Sequence, residues 1–212
     1  MRALILSLFI LASLFYFGTS KIEDIECQIN KTPCSEEHEQ GFSEFLGQYF
    51  FLLSPAKKIK EIKASYSHWE KIRVKKVPFN KILVEITTRQ PVACLLVKDK
   101  IFLLDKEAVI VKEIDVNPGL PEIETEKFKE EEVKKALEAV HFLNQYSLAC
   151  KRIKIEGQNL ILFFPETEVF LLTEELSFKI ASLQMILSQG RLDEKLPKTI
   201  DLRFAKPVIT YE

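Results

Sequence analysis

IRVKKVPFNKILVEITTRQPVACLL, residues 72–96, is the stretch on which the fold turns. Ile72 and Val74 alternate with Lys71, Arg73 and Lys75. A side-chain period of two belongs to a strand with one apolar face. Val77-Pro78-Phe79-Asn80 is a turn, and Ile82, Val84 and Ile86 then alternate with Leu83, Glu85 and Thr87 in a second strand. Past Pro91 the texture changes, and Val92 to Val97 is almost wholly apolar. A boundary between two modules is therefore expected near Pro91 to Cys94.

Upstream of this hairpin, Ile25, Cys27 and Ile29 fall in phase and predict a strand. Thr32-Pro33-Cys34-Ser35 breaks it. Ser35 then heads a helix with Glu36 and Glu37 in its first turn, where negative charge suits the helix dipole. Its apolar stripe is Phe42, Phe45, Leu46 and Tyr49. Ser54-Pro55 starts a second helix with Ile59, Ile62 and Tyr66 on its inner face. The order expected for the first module is β-α-α-β-β.

Downstream, short apolar runs at 101–104, 108–111, 153–155, 160–164 and 169–172 predict strands. Residues 127–146 predict an amphipathic helix. Leu176, Ile180, Leu183 and Leu187 predict another, headed by Thr173 and closed by Gly190. The expected fold class is α+β, with a mostly antiparallel sheet and two packed helices in the second module. The closing stretch IDLRFAKPVIT, residues 200–210, alternates as one strand, with Ile200, Leu202 and Phe204 on one side.

Ala3 to Phe17 carries no charge. Arg2 precedes this run, and Lys21, Glu23, Asp24 and Glu26 follow it. That asymmetry leaves the N-terminus in the cytoplasm and exports the rest. Counting Met1 and Arg2, about 17 residues span ~25 Å as a helix, the short limit for a membrane anchor. Gly18 and Ser20 also suit a signal cleavage site, so residues 1–20 read as an anchor or a signal segment.

The net charge of -1 and the interspersed acids and bases give no footprint for nucleic acid. An exported chain permits disulfides. Cys27 and Cys34 are close enough in sequence to bridge; the alternative is four small buried hydrophobes, with Cys94 and Cys150. His38, His68 and His141 lie on separate elements without metal-ligand spacing, so no metal and no cofactor are expected. Ser54-Pro55-Ala56-Lys57 fits S-x-x-K, but the companion elements of that enzyme class are missing, and a helix start accounts for the same residues. The sequence reads as a non-catalytic interaction protein with no small-molecule substrate.

Residues 72–96 resemble the second half of a POTRA domain in the FtsQ/DivIB family of bacterial division proteins. Val74, Pro78, Ile82, Val84, Ile86, Arg89, Pro91 and Ala93 carry the likeness; Thr88 stands where that family usually has Glu. LLDKEAVIV resembles a second segment, with Ala108 in place of a glycine. LPKTIDLRFAKPVI resembles the closing Asp-Leu-Arg-aromatic strand. The resemblance implies an anchor or signal at 1–20, a POTRA domain at 21–92 and a β domain at 93–212. It implies a single-pass protein of the cell (inner) membrane with extracytoplasmic domains. Its implied partners are FtsB/FtsL-like membrane division proteins and, through them, septal peptidoglycan synthases. The other reading is an exported POTRA module of a secretion or outer-membrane assembly system.

In that family a partner segment adds to the closing strand. The residues expected to contact it here are Ile200, Leu202, Arg203, Phe204 and Pro207. Arg203 supplies either a fork for a partner carboxylate or an edge charge against aggregation. Phe204 is either an interface anchor or core, and core packing of the closing strand is the alternative for Leu202 as well. Pro207 lacks a donor and weakens pairing at its own position.

Overall fold

The computed structural model describes residues 20–211. The charge-free run read as anchor or signal lies outside them. Among the described residues no helix is long and apolar enough to cross a membrane. The fold is mixed α+β.

The first strand, β1 (Asp24–Ile29), turns through Asn30 and Lys31, both at positive φ, into the two-residue β2 (Thr32–Pro33). Then come α1 (Glu36–Gln40), a 3-10 turn (Ser43–Phe45), α2 (Ala56–Ser65), β3 (Trp69–Val77) and β4 (Lys81–Thr88). The sheet order is β2-β1-β4-β3, with β1 parallel to β4 and β3 antiparallel to it. Ile82, Val84 and Ile86 point from β4 into the core, as their alternation predicts. Trp69 is buried there, stacked on Tyr66 at 4.0 Å between ring centroids. Cys27 and Cys34 are bonded across the first hairpin, with Cα atoms 5.3 Å apart.

The helix expected from Ser35 through Tyr49 is interrupted. It stops at Gln40, before Gly41, a residue that costs a helix interior about 1 kcal/mol. The Ser35 hydroxyl meets His38 Nδ1 at 2.8 Å and makes no cap to a backbone N–H. Phe42 and Phe45 still reach the core, but Leu46 and Tyr49 stay exposed. The backbone after Phe45 pairs instead with the entering chain: Gly47 N–H donates to Ile22 O at 2.9 Å, and Phe50 N–H to Ser20 O at 2.8 Å. Tertiary pairing has overridden a helical pattern.

The chain divides between Arg89 and Gln90. The expected boundary after residue 92 falls earlier because Pro91 already pairs with Asp105 in the second sheet. That sheet is built from β5 (Pro91–Val97), β6 (Lys100–Asp105), β7 (Ile110–Ile114), β8 (Glu122–Glu124), β9 (Arg152–Glu156), β10 (Asn159–Phe163), β11 (Glu168–Leu172), β12 (Thr199–Asp201) and β13 (Val208–Thr210). Its nine strands run in the order β13-β12-β11-β10-β9-β8-β5-β6-β7. Neighbours are antiparallel except β5/β8, β8/β9 and β11/β12.

Two of the parallel pairs are joined by helices, α3 (Glu130–Gln145) and α4 (Leu176–Leu192). β8 and β11 run the same way, and both crossovers step toward β13. Right-handed crossovers therefore put both helices on one face, where they pack on each other. Under them the register aligns Leu95, Ile123, Ile153, Leu162, Val169 and Ile200 in one row across six strands. All six are fully buried, and each contributes about 1.5–3 kcal/mol.

Three local expectations change. β8, with one apolar residue in three, is too short to show a period. Glu175, at φ 54, heads α4 in place of Thr173. Gly190 lies inside α4 and does not end it; a Cβ there would meet Lys195 O at 3.1 Å and the Pro197 ring at 3.3 Å. Close approach of the following chain requires this glycine.

Candidate functional site

Residues 200–210 form a hairpin, where the alternation predicted one strand. β12 lies parallel to β11, with Val169 opposite Ile200 and Phe170 opposite Asp201. Leu202 N–H donates to Phe170 O at 2.7 Å. The chain bends through 203–206 and returns as β13, antiparallel to β12. Pro207 stands just before β13, where no ladder donor is needed.

Two expected contact residues are thereby withdrawn from the surface. Ile200 belongs to the buried row, and Leu202 is 3% exposed in the same core. Phe204, on their side in a continuous strand, is 61% exposed. The reason is local. The Asp201 carboxylate accepts the Arg203 backbone N–H at 3.0 Å, Nε at 2.9 Å and Nη2 at 2.6 Å. This ends the strand after Leu202 and sends the next side chain outward. The clamped guanidinium lies over the Phe170 ring, 5.3 Å from its centroid, and 6.0 Å from that of Phe204. Arg203, through its hydrogen bonds, holds the Asp201 carboxyl below the usual carboxylate range.

The rim beyond β12 is occupied by the chain itself, and the outermost strand is β13. Among the described residues no strand pairs with its outer side. Val208 is 54% exposed, Thr210 is exposed, and Ile209 is half-buried opposite Ile200. Thr210 is tied inward by its hydroxyl to Thr199 and by its carbonyl, which accepts Lys198 N–H at 2.9 Å. The Lys195 ammonium lies 5.0 Å from the Tyr211 ring. The site is therefore an uncharged strand flanked by exposed aromatics, Phe204 and Tyr211. The sequence signals for it were the Asp-x-Arg spacing and the strand 169–172; that Phe170 would carry the guanidinium required the register.

Elsewhere, no group of three His, Cys, Asp or Glu among the described residues could hold a metal ion. His38 and His68 border the Trp69 cluster, at 5.5 and 5.7 Å between ring centroids. Cys94 and Cys150 are buried thiols, and burial pushes Cys150 up to about 12. A surface cleft of about 880 Å³ beside β8 and β9 has no His, Cys or Ser in its lining, and its Lys154 pairs with Glu156 at 2.6 Å.

No protein-family profile and no curated protein matches the chain. Among solved structures it is similar to the major extracytoplasmic domain of the trans isomer of the bacterial cell division protein DivIB from Geobacillus stearothermophilus. That likeness covers 51% of this chain and 97% of that one, at 15% identity and a TM-score of 0.39. At that level it is a resemblance only, and function has to be argued from the site.

Proposed function

We propose that this chain is a non-catalytic, membrane-anchored scaffold of bacterial cell division, like FtsQ/DivIB proteins, that takes up an FtsB/FtsL-like partner by strand addition on β13. The observation that carries the reading is the unpaired, uncharged outer side of β13 beside the exposed Phe204. A strand at a sheet edge offers a row of N–H and C=O groups, and a partner backbone satisfies them. The resemblance of residues 72–96 and 196–209 to that family supports the same reading. So does the order of the first unit, which apart from the two-residue β2 and the 3-10 turn is the β-α-α-β-β expected of a POTRA domain.

Arg203 has a different part from a simple fork. Asp201 holds its Nε and Nη2, so the residue positions the bend and leaves Nη1 to a partner. Phe204 is the anchor. Truncating a buried interface aromatic costs about 2 kcal/mol or more, or roughly 30-fold in affinity. Phe204→Ala should therefore weaken binding of the extracytoplasmic segment of an FtsB-like partner by that factor, with far-UV circular dichroism unchanged. Arg203→Glu, which sets a second carboxylate beside Asp201, should do the same. Full affinity in both folded variants would contradict the assignment. Depletion in the native host should give filaments or unseparated cells.

A further inference from the structure

Five large apolar side chains are exposed among the described residues of the first unit: Leu46, Tyr49, Phe51, Leu52 and Phe79. They come from two separate elements, and both elements are hydrogen-bonded to the same short stretch. The loop after Phe45 is tied to Ser20 and Ile22, and Lys21 bridges to Tyr49. The β3–β4 turn is tied to Glu23, whose N–H donates to Asn80 O at 3.0 Å. The exposed apolar surface of this unit thus surrounds the point where the chain enters it.

Only Gly18 and Thr19 separate Ser20 from Phe17, the last residue of the charge-free run, so at most about 10 Å of chain joins them. We infer that this end of the first unit is a bilayer-contact surface, with Tyr49, Phe51, Leu52 and Phe79 seated among lipid headgroups. The inference rests on the anchor reading of Ala3–Phe17.

The side chains suit that occupant. Aromatic residues with lysines beside them are the composition of the membrane interface. The Lys21 ammonium lies 5.8 Å from the Tyr49 ring centroid. Lys76 lies 5.7 Å from that of Phe50, and its ammonium donates to Phe51 O at 3.1 Å. These charges stay at the level of the rings and can meet phosphates while the rings meet acyl chains. Of the acids near this end, Asp24 is paired with Lys81 at 2.7 Å, Glu44 with Lys58 at 2.6 Å, and Glu23 accepts from Asn80 at 3.3 Å; Glu36 and Glu39 line a pocket with Leu46, which is not among the seated residues.

Phe79 is the sharpest observation. Phe79 and Asn80 both have positive φ, at 66° and 58°, in a hairpin turn that favours Asn and Gly. A bulky aromatic is strained there, and at 88% exposure it gains no burial from the fold. Strain kept without a folding return points to a contact outside the chain.

The test places an environment-sensitive fluorophore on the full-length chain, reconstituted in vesicles of phosphatidylethanolamine and phosphatidylglycerol. Cys27 and Cys34 are bonded, and Cys94 and Cys150 are buried, so an added thiol is the one that labels. Leu52→Cys and Phe79→Cys report on the surface. Thr87→Cys, exposed on β4 roughly 20 Å from Lys81, is the control. We expect blue-shifted emission at positions 52 and 79, quenched severalfold by headgroup-proximal spin-labelled lipid, with position 87 unshifted and unquenched. Water-like emission at all three positions in a chain that floats with the vesicles and resists carbonate extraction would overturn the inference and leave the anchor standing. A chain that does not float would overturn both. Blue-shifted but unquenched labels would mean a protein covers the surface, and would overturn the lipid assignment.

Discussion

The two edges of the nine-stranded sheet differ in what they present to a passing strand. At one end β7 carries Lys112 and Glu113 in its middle, and Glu113 pairs with Lys100 at 3.0 Å. Charge on an edge strand obstructs pairing with another chain. At the other end β13 reads Val-Ile-Thr, without charge, with Phe204 and Tyr211 exposed beside it. Both edges belong to one sheet, so backbone geometry alone does not separate them. Side chains do, and they leave only one of the two suited to strand addition.

The largest effect should come from the support beneath β13. Ile200→Ala removes a fully buried side chain from the row under the helices and should cost about 2–5 kcal/mol in urea unfolding. Leu104→Ala, equally buried and paired with Ile110 at the other edge, should cost about as much. The comparison is sharpened by binding: the folded fraction of Leu104→Ala should keep affinity for the proposed partner, while Ile200→Ala should lose it. Equal loss by both would break the distinction between the edges.

A smaller effect follows from exchanging edge character. Val208→Lys puts charge on the open strand and should lower partner affinity roughly tenfold, or about 1.4 kcal/mol. Stability should change by no more than about 0.5 kcal/mol at so exposed a position. In reverse, Lys112→Val with Glu113→Val should raise self-association in sedimentation velocity, because β7 then resembles β13.

The smallest effect concerns the bend that presents Phe204. Asp201 has a depressed carboxyl pKa because Arg203 hydrogen-bonds to its charged form. Near pH 4 and below, the native state then binds fewer protons than the unfolded state, so stability rises with pH through that window. The contribution is complete above the ordinary carboxylate range and is lost as pH falls through the lower native value. Asp201→Asn should therefore be less stable than the parent at neutral pH, and the gap should close on acidification. A gap independent of pH would show that the carboxylate charge is not what holds Arg203.

Much of this was legible from pattern alone. Long alternation in 81–88 and helical spacing in 176–187 gave elements whose buried faces are the expected ones, because one periodic face had one core to meet. The failures cluster where the backbone answered to something distant. Residues 42–49 carry a helical stripe, yet bond to Ser20 and Ile22. Residues 200–210 alternate, yet fold back because one carboxylate captures the arginine two positions on. In that stretch alternation placed Ile200 and Leu202 correctly on one face, but could not tell that the face was the core or that the open edge lay at Val208.

Hydrogen exchange of the full-length chain, with and without the extracytoplasmic segment of the proposed FtsB-like partner, tests strand addition most directly. Strand addition predicts that the Ile209 amide, which faces away from β12, becomes protected on binding, while those of 110–114 exchange as before. Unchanged exchange at Ile209 in a saturated complex would contradict it.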